Sequence, residues 1–337
     1  MKKYLAAAAA FLMLIPLSVH ARAASVSASS AVLIEAESGD VIYEKDAHTR
    51  RGPASTTKIM TSLVAVEHLP LDKVVTVNEN AVGVEGSSAY LYAGEKVTAE
   101  TLLYALMLRS ANDAAAAIAY EVAGGIEEFA ALMNEKAAAL GLSDTHFENP
   151  HGLDADGHYT TAYDLAMIAR AALENDTIRK IVGTKTYSAK MDGSDATRVF
   201  HNHNKLLFSY GDIIGVKTGF TKKCGRTLVS AAERDGVTLI AVTLDDGDDW
   251  RDHRVLLDEG FSLYERVTLC RAGDFETTVK DGGGEITLSA DGDLSVTLPR
   301  ERGEIKVTEE YSAAGGNVRF YLDGKIIGEV KLTTRRK

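Results

Sequence analysis

Two cysteines, Cys224 and Cys270, stand in a chain of 337 residues, and no Cys/His cluster has the spacing of a zinc site. The fold therefore cannot depend on a disulfide framework. The two thiols are not expected to pair, because a bridge needs Cα atoms within about 7 Å and nothing in the sequence brings them together. His201 and His203 share one face of an extended segment, but no further ligand type lies nearby, so hydrogen bonding is their expected role. Basic charge is also scarce. Lys and Arg number 37 against 48 Asp and Glu, a net charge of −11 spread along the chain, which argues against a nucleic-acid partner. No cofactor is expected.

Long apolar runs are confined to the first residues. Lys2 and Lys3 precede Leu5 to Leu17, followed by the small residues Ala21-Arg22-Ala23-Ala24, the pattern of a secretory signal peptide. Cleavage after Ala23 or Ala24 would start the exported protein near Ser25, and no second segment is long and apolar enough to span a bilayer.

The remainder has the composition of a globular protein, 45% hydrophobic and 25% charged. "AVLIEAESGDVIYEKD" alternates around Ser38-Gly39 as a hairpin, and a helix is expected from Ser55 to His68. Further helices are expected at Thr98–Leu108, Asn112–Ala123 and Ile126–Leu140, and another capped by Thr160 or Thr161. From Gly215 the period changes to three strands, two of them joined at Asp235-Gly236, before a final helix from Trp250 to Tyr264. Strands at both ends with helices between them imply an α+β domain: one antiparallel sheet, helices packed on it, and a helical lobe beside it. Beyond Val267, short alternating runs with Gly-rich turns predict a small all-β domain. The expected division is 1–24, 25–267 and 268–337.

The chemistry centres on "GPASTTKIMT". On a helix, Ser55 and Lys58 share a face with Cβ atoms about 5–6 Å apart, so the amine can reach the alcohol. Serine needs a base, and a helix start presents N–H groups that favour an oxyanion. Lys58 would have to be neutral, a drop of about three pH units from about 10.4 that costs about 4 kcal/mol and that burial and a second cation, Lys217, can supply. Whether Lys58, or Lys217 acting through Ser110, moves the proton is left open. Alone, Ser55 would read as a helix cap. Ser110-Ala111-Asn112 and Lys217-Thr218-Gly219 change that, because the three motifs occur in the order and spacing of active-site serine penicillin-recognising enzymes.

"ENPHGLDADGHYTTAYDLAMIARAAL", "HNHNKLL" and "GVKTGFTKKCGRTLVSAAERDGVTLIAV" resemble the D-alanyl-D-alanine carboxypeptidases of serine peptidase family S11, the low-molecular-mass penicillin-binding proteins. The resemblance implies a β-lactamase/transpeptidase-like catalytic domain plus a small C-terminal β domain. It also implies that Ser55 attacks the terminal D-Ala-D-Ala bond of a peptidoglycan stem peptide and is acylated by β-lactams. Lys58 would accept the proton, while Ser110 and Asn112 would relay protons and hold the substrate amide. Lys217 and Thr218 would bind the terminal carboxylate beside Gly219, and the Ser55 and Phe220 N–H groups would form the oxyanion hole.

The family commonly has Ala or Ser at Cys224 and Cys at Thr227, so a thiol is expected close to the cleft. Members often end in an amphipathic anchoring helix, whereas "KLTTRRK" follows a strand here, and its three basic residues would touch an anionic surface only weakly. Three alternatives stand beside this reading. A class A β-lactamase would need a deacylating glutamate, for which Glu148 is the nearest acid. A DD-endopeptidase would cut a chemically similar bond, and a non-catalytic wall-binding protein would keep only the fold. Arg251 and Arg254 are candidate carboxylate ligands, with a helix-surface role the simpler expectation.

Overall fold

The computed structural model describes residues 25–281 and 284–334. The expected signal peptide lies outside the described residues. Among them, no helix is long and apolar enough to cross a membrane.

The first hairpin forms as its alternation predicts, with β1 (Ser30–Glu35) paired antiparallel to β2 (Val41–Lys45). A 3-10 turn (Ala54–Thr57) leads into α1 (Lys58–His68), so the expected single helix begins in a tighter geometry. The reason is local. Ala54 has φ +48°, and the Thr56 hydroxyl donates to the Pro53 carbonyl, which winds the chain before the α-helix can start. The short pair β3 (Val74–Thr76) and β4 (Lys96–Thr98) brackets the long loop between them.

The helical lobe follows as α2 (Ala99–Leu108), α3 (Asn112–Ala123) and α4 (Ile126–Ala139). Thr98 caps α2 by accepting from the Thr101 N–H at 3.2 Å, and Gly124 ends α3 at φ +81°. Helix α2 is apolar almost all round and is buried to match, while the alanine run of α3 allows close packing against it.

Thr161, one of the two expected caps, starts α5 (Ala162–Leu173) by accepting from the Asp164 N–H. Two elements go unassigned in the sequence reading. They are α6 (Asp176–Gly183) and the hairpin of β5 (Thr186–Lys190) with β6 (Thr197–His201), whose strands are polar and half-exposed and so lack a strong period. A short α7 (Leu206–Ser209) precedes β7 (Ile213–Thr221), β8 (Gly225–Arg234) and β9 (Val237–Leu244), the expected three strands, and α8 (Asp249–Leu263) closes this part.

The main sheet has the order β2-β1-β9-β8-β7, which leaves β7 on an edge. Its faces bury different cores. Val32, Ile34, Val229, Ala231, Ile240 and Val242 join α1, α5 and the lobe, whereas Ala31, Leu33, Leu228 and Leu239 meet Leu256, Leu257 and Phe261 of α8. A sheet clothed by helices on both faces, with a helical lobe beside it, is the expected α+β class.

Beyond α8, β10 (Tyr264–Cys270) pairs with a later strand, β13 (Leu294–Pro299). The other strands are β11 (Thr277–Asp281), β12 (Gly284–Ala290), β14 (Lys306–Ser312), β15 (Gly315–Leu322) and β16 (Lys325–Thr334). They form a second antiparallel sheet, β11-β12-β16-β15-β14, around a small core that includes Leu288, Val318, Phe320 and Leu332.

The loop between β3 and β4 is held by a buried ion pair, Arg198 Nη1 to Glu95 Oε1 at 2.7 Å, with Arg198 Nη2 also donating to the Tyr90 carbonyl at 3.1 Å. Glu95 is 0% exposed. Arg198→Ala strands that carboxylate, and we expect a loss of about 3–5 kcal/mol in denaturant unfolding, whereas the double variant Arg198→Met/Glu95→Leu loses markedly less.

Candidate active site

The tight turn before α1 puts Ser55 and Lys58 in register. In a 3-10 turn, side chains three apart eclipse, and Lys58 Nζ lies 3.0 Å from Ser55 Oγ. The Lys58 side chain is fully buried, and its amine also donates to the His151 carbonyl. Burial lowers its pKa well below the ordinary lysine value, repulsion from Lys217 lowers it further, and the Asp113 carboxylate opposes both.

The loop carrying His151 is fixed from both sides. Thr61 Oγ1 donates to the Pro150 carbonyl at 2.6 Å, and Asn149 Oδ1 accepts the Gly152 N–H at 2.7 Å. Gly152 has φ +83°, and a Cβ there would lie 1.9 Å from the Ala54 carbonyl oxygen, so only glycine lets this loop close on the turn that carries Ser55. His151 stays neutral, its pKa pushed by burial and then by Lys58 to about 3. His158 falls to about 4 through burial and the nearby His146. Its Nδ1 accepts from the Glu148 N–H, so the proton rests on Nε2, which donates to Thr57 Oγ1 at 2.9 Å.

Strand β7 closes the other side. Lys217 is 1% exposed, its Nζ donates to the Thr218 carbonyl at 2.8 Å, and burial lowers its pKa to about 7. A Cβ on Gly219 would meet Ser55 N at 2.9 Å, which measures how closely the strand abuts the serine turn. Thr227 of β8 ties the same turn down by donating to the Pro53 carbonyl at 3.0 Å.

Ser110 sits between α2 and α3 at φ +61°, a left-handed conformation that costs a non-glycine residue about 1–2 kcal/mol. Next to it, the Asn112 N–H donates to the Ser87 carbonyl at 2.7 Å and Nδ2 donates to the Glu85 carbonyl at 2.6 Å. Its buried Oδ1 has no hydrogen-bond partner among the described residues. Asp113 pins the following loop by accepting from Ser88 Oγ and from the Ala89 and Leu91 N–H groups.

These elements enclose an open cavity of about 410 Å³ with Ser55, Ser110, Thr218, Gly219 and Phe220 on its wall. Lys58, Lys217 and Asn112 are buried and do not line it. All eight residues singled out from the sequence thus come from the elements that meet here. Sequence reasoning missed Ser87, Arg226, Asp249 and Trp250, which complete the wall, and His151, whose contribution is a backbone carbonyl that no side-chain motif signals. His203 also lines the cavity, with its pKa lowered to about 4 by burial and then by Lys217 and Arg109. His201 instead shares a hydrogen bond with Thr186.

The remaining candidates lie elsewhere. Arg251 pairs with Asp252 at 3.0 Å, Arg254 donates to Ser209 Oγ, and Glu148 pairs with His146 at 3.4 Å; none of the three is on the cavity wall. The two cysteines are free. Cys224 faces a separate cavity of about 240 Å³ behind Gly52, Pro53 and Ala54, so the thiol lies behind the serine turn and off the Ser55 cavity wall.

The chain is similar to known proteins along most of its length. The Peptidase S11 model, described as D-alanyl-D-alanine carboxypeptidase, matches residues 17–248. D-alanyl-D-alanine carboxypeptidase DacF of Bacillus subtilis is 34% identical over 325 residues, covering 90% of this chain and 83% of that one. DacA of Escherichia coli is 32% identical over 332 residues, covering 90% and 81%. Among solved structures, penicillin binding protein 5 from Haemophilus influenzae superposes with a TM-score of 0.73 at 27% identity, covering 92% of this chain and 97% of that one. The Streptomyces K15 DD-transpeptidase gives 0.68 at 36% identity, covering 72% and 99%. With a family match across more than half its length and relatives of this identity along most of it, the chain belongs to the S11 family of D-alanyl-D-alanine carboxypeptidases.

Proposed function

We propose that the protein is a serine-type D-Ala-D-Ala carboxypeptidase that removes the terminal D-alanine from peptidoglycan stem peptides in the cell envelope, after export. Residues 25–267 would form the catalytic unit and 268–337 an accessory β unit. The observation that carries the reading is the 3.0 Å approach of Ser55 Oγ to the buried amine of Lys58.

With Lys58 uncharged, its lone pair takes the Ser55 proton while a remaining N–H keeps its bond to the His151 carbonyl. Ser55 Oγ then attacks the carbonyl carbon of the penultimate D-alanine, and the negative charge develops toward the N–H groups of Ser55 and Phe220. The C–N bond breaks as a proton passes, by way of Ser110, to the departing amine. An ester to Ser55 remains, which water cleaves to free the shortened peptide. The unpartnered Asn112 Oδ1, buried just off the cavity wall, would meet a substrate amide N–H only once the side chain turns toward the groove, whereas β7, as an edge strand, suits pairing with an extended peptide. Lys217 and Thr218 would meet its carboxylate.

A β-lactam offers the same carbonyl in a strained ring whose amine cannot leave, so the ester persists. The position of Glu148, off the cavity wall, argues against a class A lactamase mechanism.

Ser55→Ala should lose D-alanine release by about 10³-fold or more and show no penicillin mass adduct; an adduct mapped to another serine would overturn the assignment. Separating kcat from KM across neutral pH decides between the two lysines. With Lys217 as a carboxylate ligand, KM rises through pH 7, because its amine, with a pKa of about 7, gives up its charge as pH increases. If Lys217 were the base, kcat would instead climb through that same range.

A further inference from the structure

A peptide cut at its last residue carries a free carboxylate, and the groove needs a cation that stays charged to meet it. Lys217 serves this purpose incompletely. It is buried behind the wall, its amine is engaged by the Thr218 carbonyl, and a pKa of about 7 leaves it about half uncharged at neutral pH. The arginines of α8 that the sequence suggested are not on the cavity wall.

Arg226 is placed differently. On β8 it stands directly opposite Phe220, and Thr218 lies two residues along β7 on the same face of the sheet, opposite Leu228. Such diagonal neighbours are about 7–8 Å apart, within reach of an arginine. All three residues share the cavity wall with Ser55. Behind the guanidinium, Asp249 Oδ1 lies 3.3 Å from Nη2 at the start of α8. The carboxylate is buried, whereas the arginine side chain is 44% exposed. The ion pair occupies one nitrogen of a five-donor fork and leaves the others free to face the groove. The strand is held here as well, because the Arg226 carbonyl accepts the Asp246 N–H at 3.0 Å.

We propose that Arg226, oriented by Asp249, is a specificity-determining residue that binds the terminal carboxylate of the substrate together with Thr218. This rests on the carboxypeptidase reading. It adds a second strand to the recognition site and supplies a planar guanidinium fork that matches a carboxylate.

The test uses the full chain and two probes that differ only in charge, benzylpenicillin and its methyl ester, with acylation rates read by intact-protein mass spectrometry. The expected result is that Arg226→Leu lowers the acid-to-ester rate ratio by about 10- to 100-fold, the range for losing a hydrogen bond to a charged group. Arg226→Lys recovers part of the ratio, and Asp249→Asn gives a smaller decrease than Arg226→Leu. Should Arg226→Leu fail to fold, Arg226→Gln supplies the same reading. An unchanged ratio, including a parallel fall in both rates, overturns the assignment and leaves the carboxypeptidase reading standing. Wild-type protein that neither probe acylates at Ser55 removes that reading, and this proposal with it.

Discussion

Everything at this site depends on keeping one amine uncharged. Lys58 is surrounded by protein, and an ammonium there would lose its water shell with only the His151 carbonyl, Ser55 and the more distant Asp113 in compensation. Lys217 faces the same difficulty, and its fall from 10.5 to about 7 corresponds to roughly 5 kcal/mol of preference for the neutral form. Lys217 also makes Lys58 harder to protonate. Two buried lysines are a poor choice for stability and a good one for a base, since a proton acceptor works best with a pKa close to the working pH. The core that tolerates them is correspondingly large and continuous from the sheet into the lobe.

The geometry around that amine is over-determined by backbone contacts. The serine turn is bounded below by the Thr227 hydroxyl, on one side by the glycine-bearing loop of His151, and on the other by β7. Two non-glycine residues, Ala54 and Ser110, hold left-handed backbone within this frame. Such conformations persist only where neighbours enforce them. Here the enforcing neighbours also bring the three motifs together, so local strain and convergence of the motifs have one cause.

How much of this was legible in the sequence follows from which contacts use side chains with a spacing rule. Ser55 and Lys58 were readable because three residues is one helical turn, and that held although the turn proved to be 3-10. The long helices and the strands β7 to β9 were readable from strong periods. The β5–β6 hairpin was not, since its polar, half-exposed strands carry little period, and α6 was not because its one apolar face, Ile178, Ile181 and Val182, spans only eight residues. At the site, His151 acts through its carbonyl and Ser87 through its position in a loop, neither of which leaves a residue-type signature. Arg226 was hidden for another reason. Its meaning comes from register, the pairing of β8 with β7, and from a carboxylate more than twenty residues later, whereas Arg251 and Arg254 drew notice merely by sitting on a helix near the end of the domain.

The histidines explain why a lysine, and not an imidazole, is left to move the proton. His151, His158 and His203 all lie near the serine turn or its cavity, which invites a serine–histidine reading. Burial lowers their pKa values to about 3, about 4 and about 4, and the nearby lysines push in the same direction. An imidazole with so low a pKa is too weak a base to draw a proton from an alcohol at neutral pH. Nor is His158 free to do so: its nitrogens are committed to the Glu148 N–H and to Thr57. The same desolvation that brings a lysine down toward the useful range takes a histidine below it. A buried polar pocket of this kind therefore selects lysine as its base, because lysine starts high enough for burial to leave it basic.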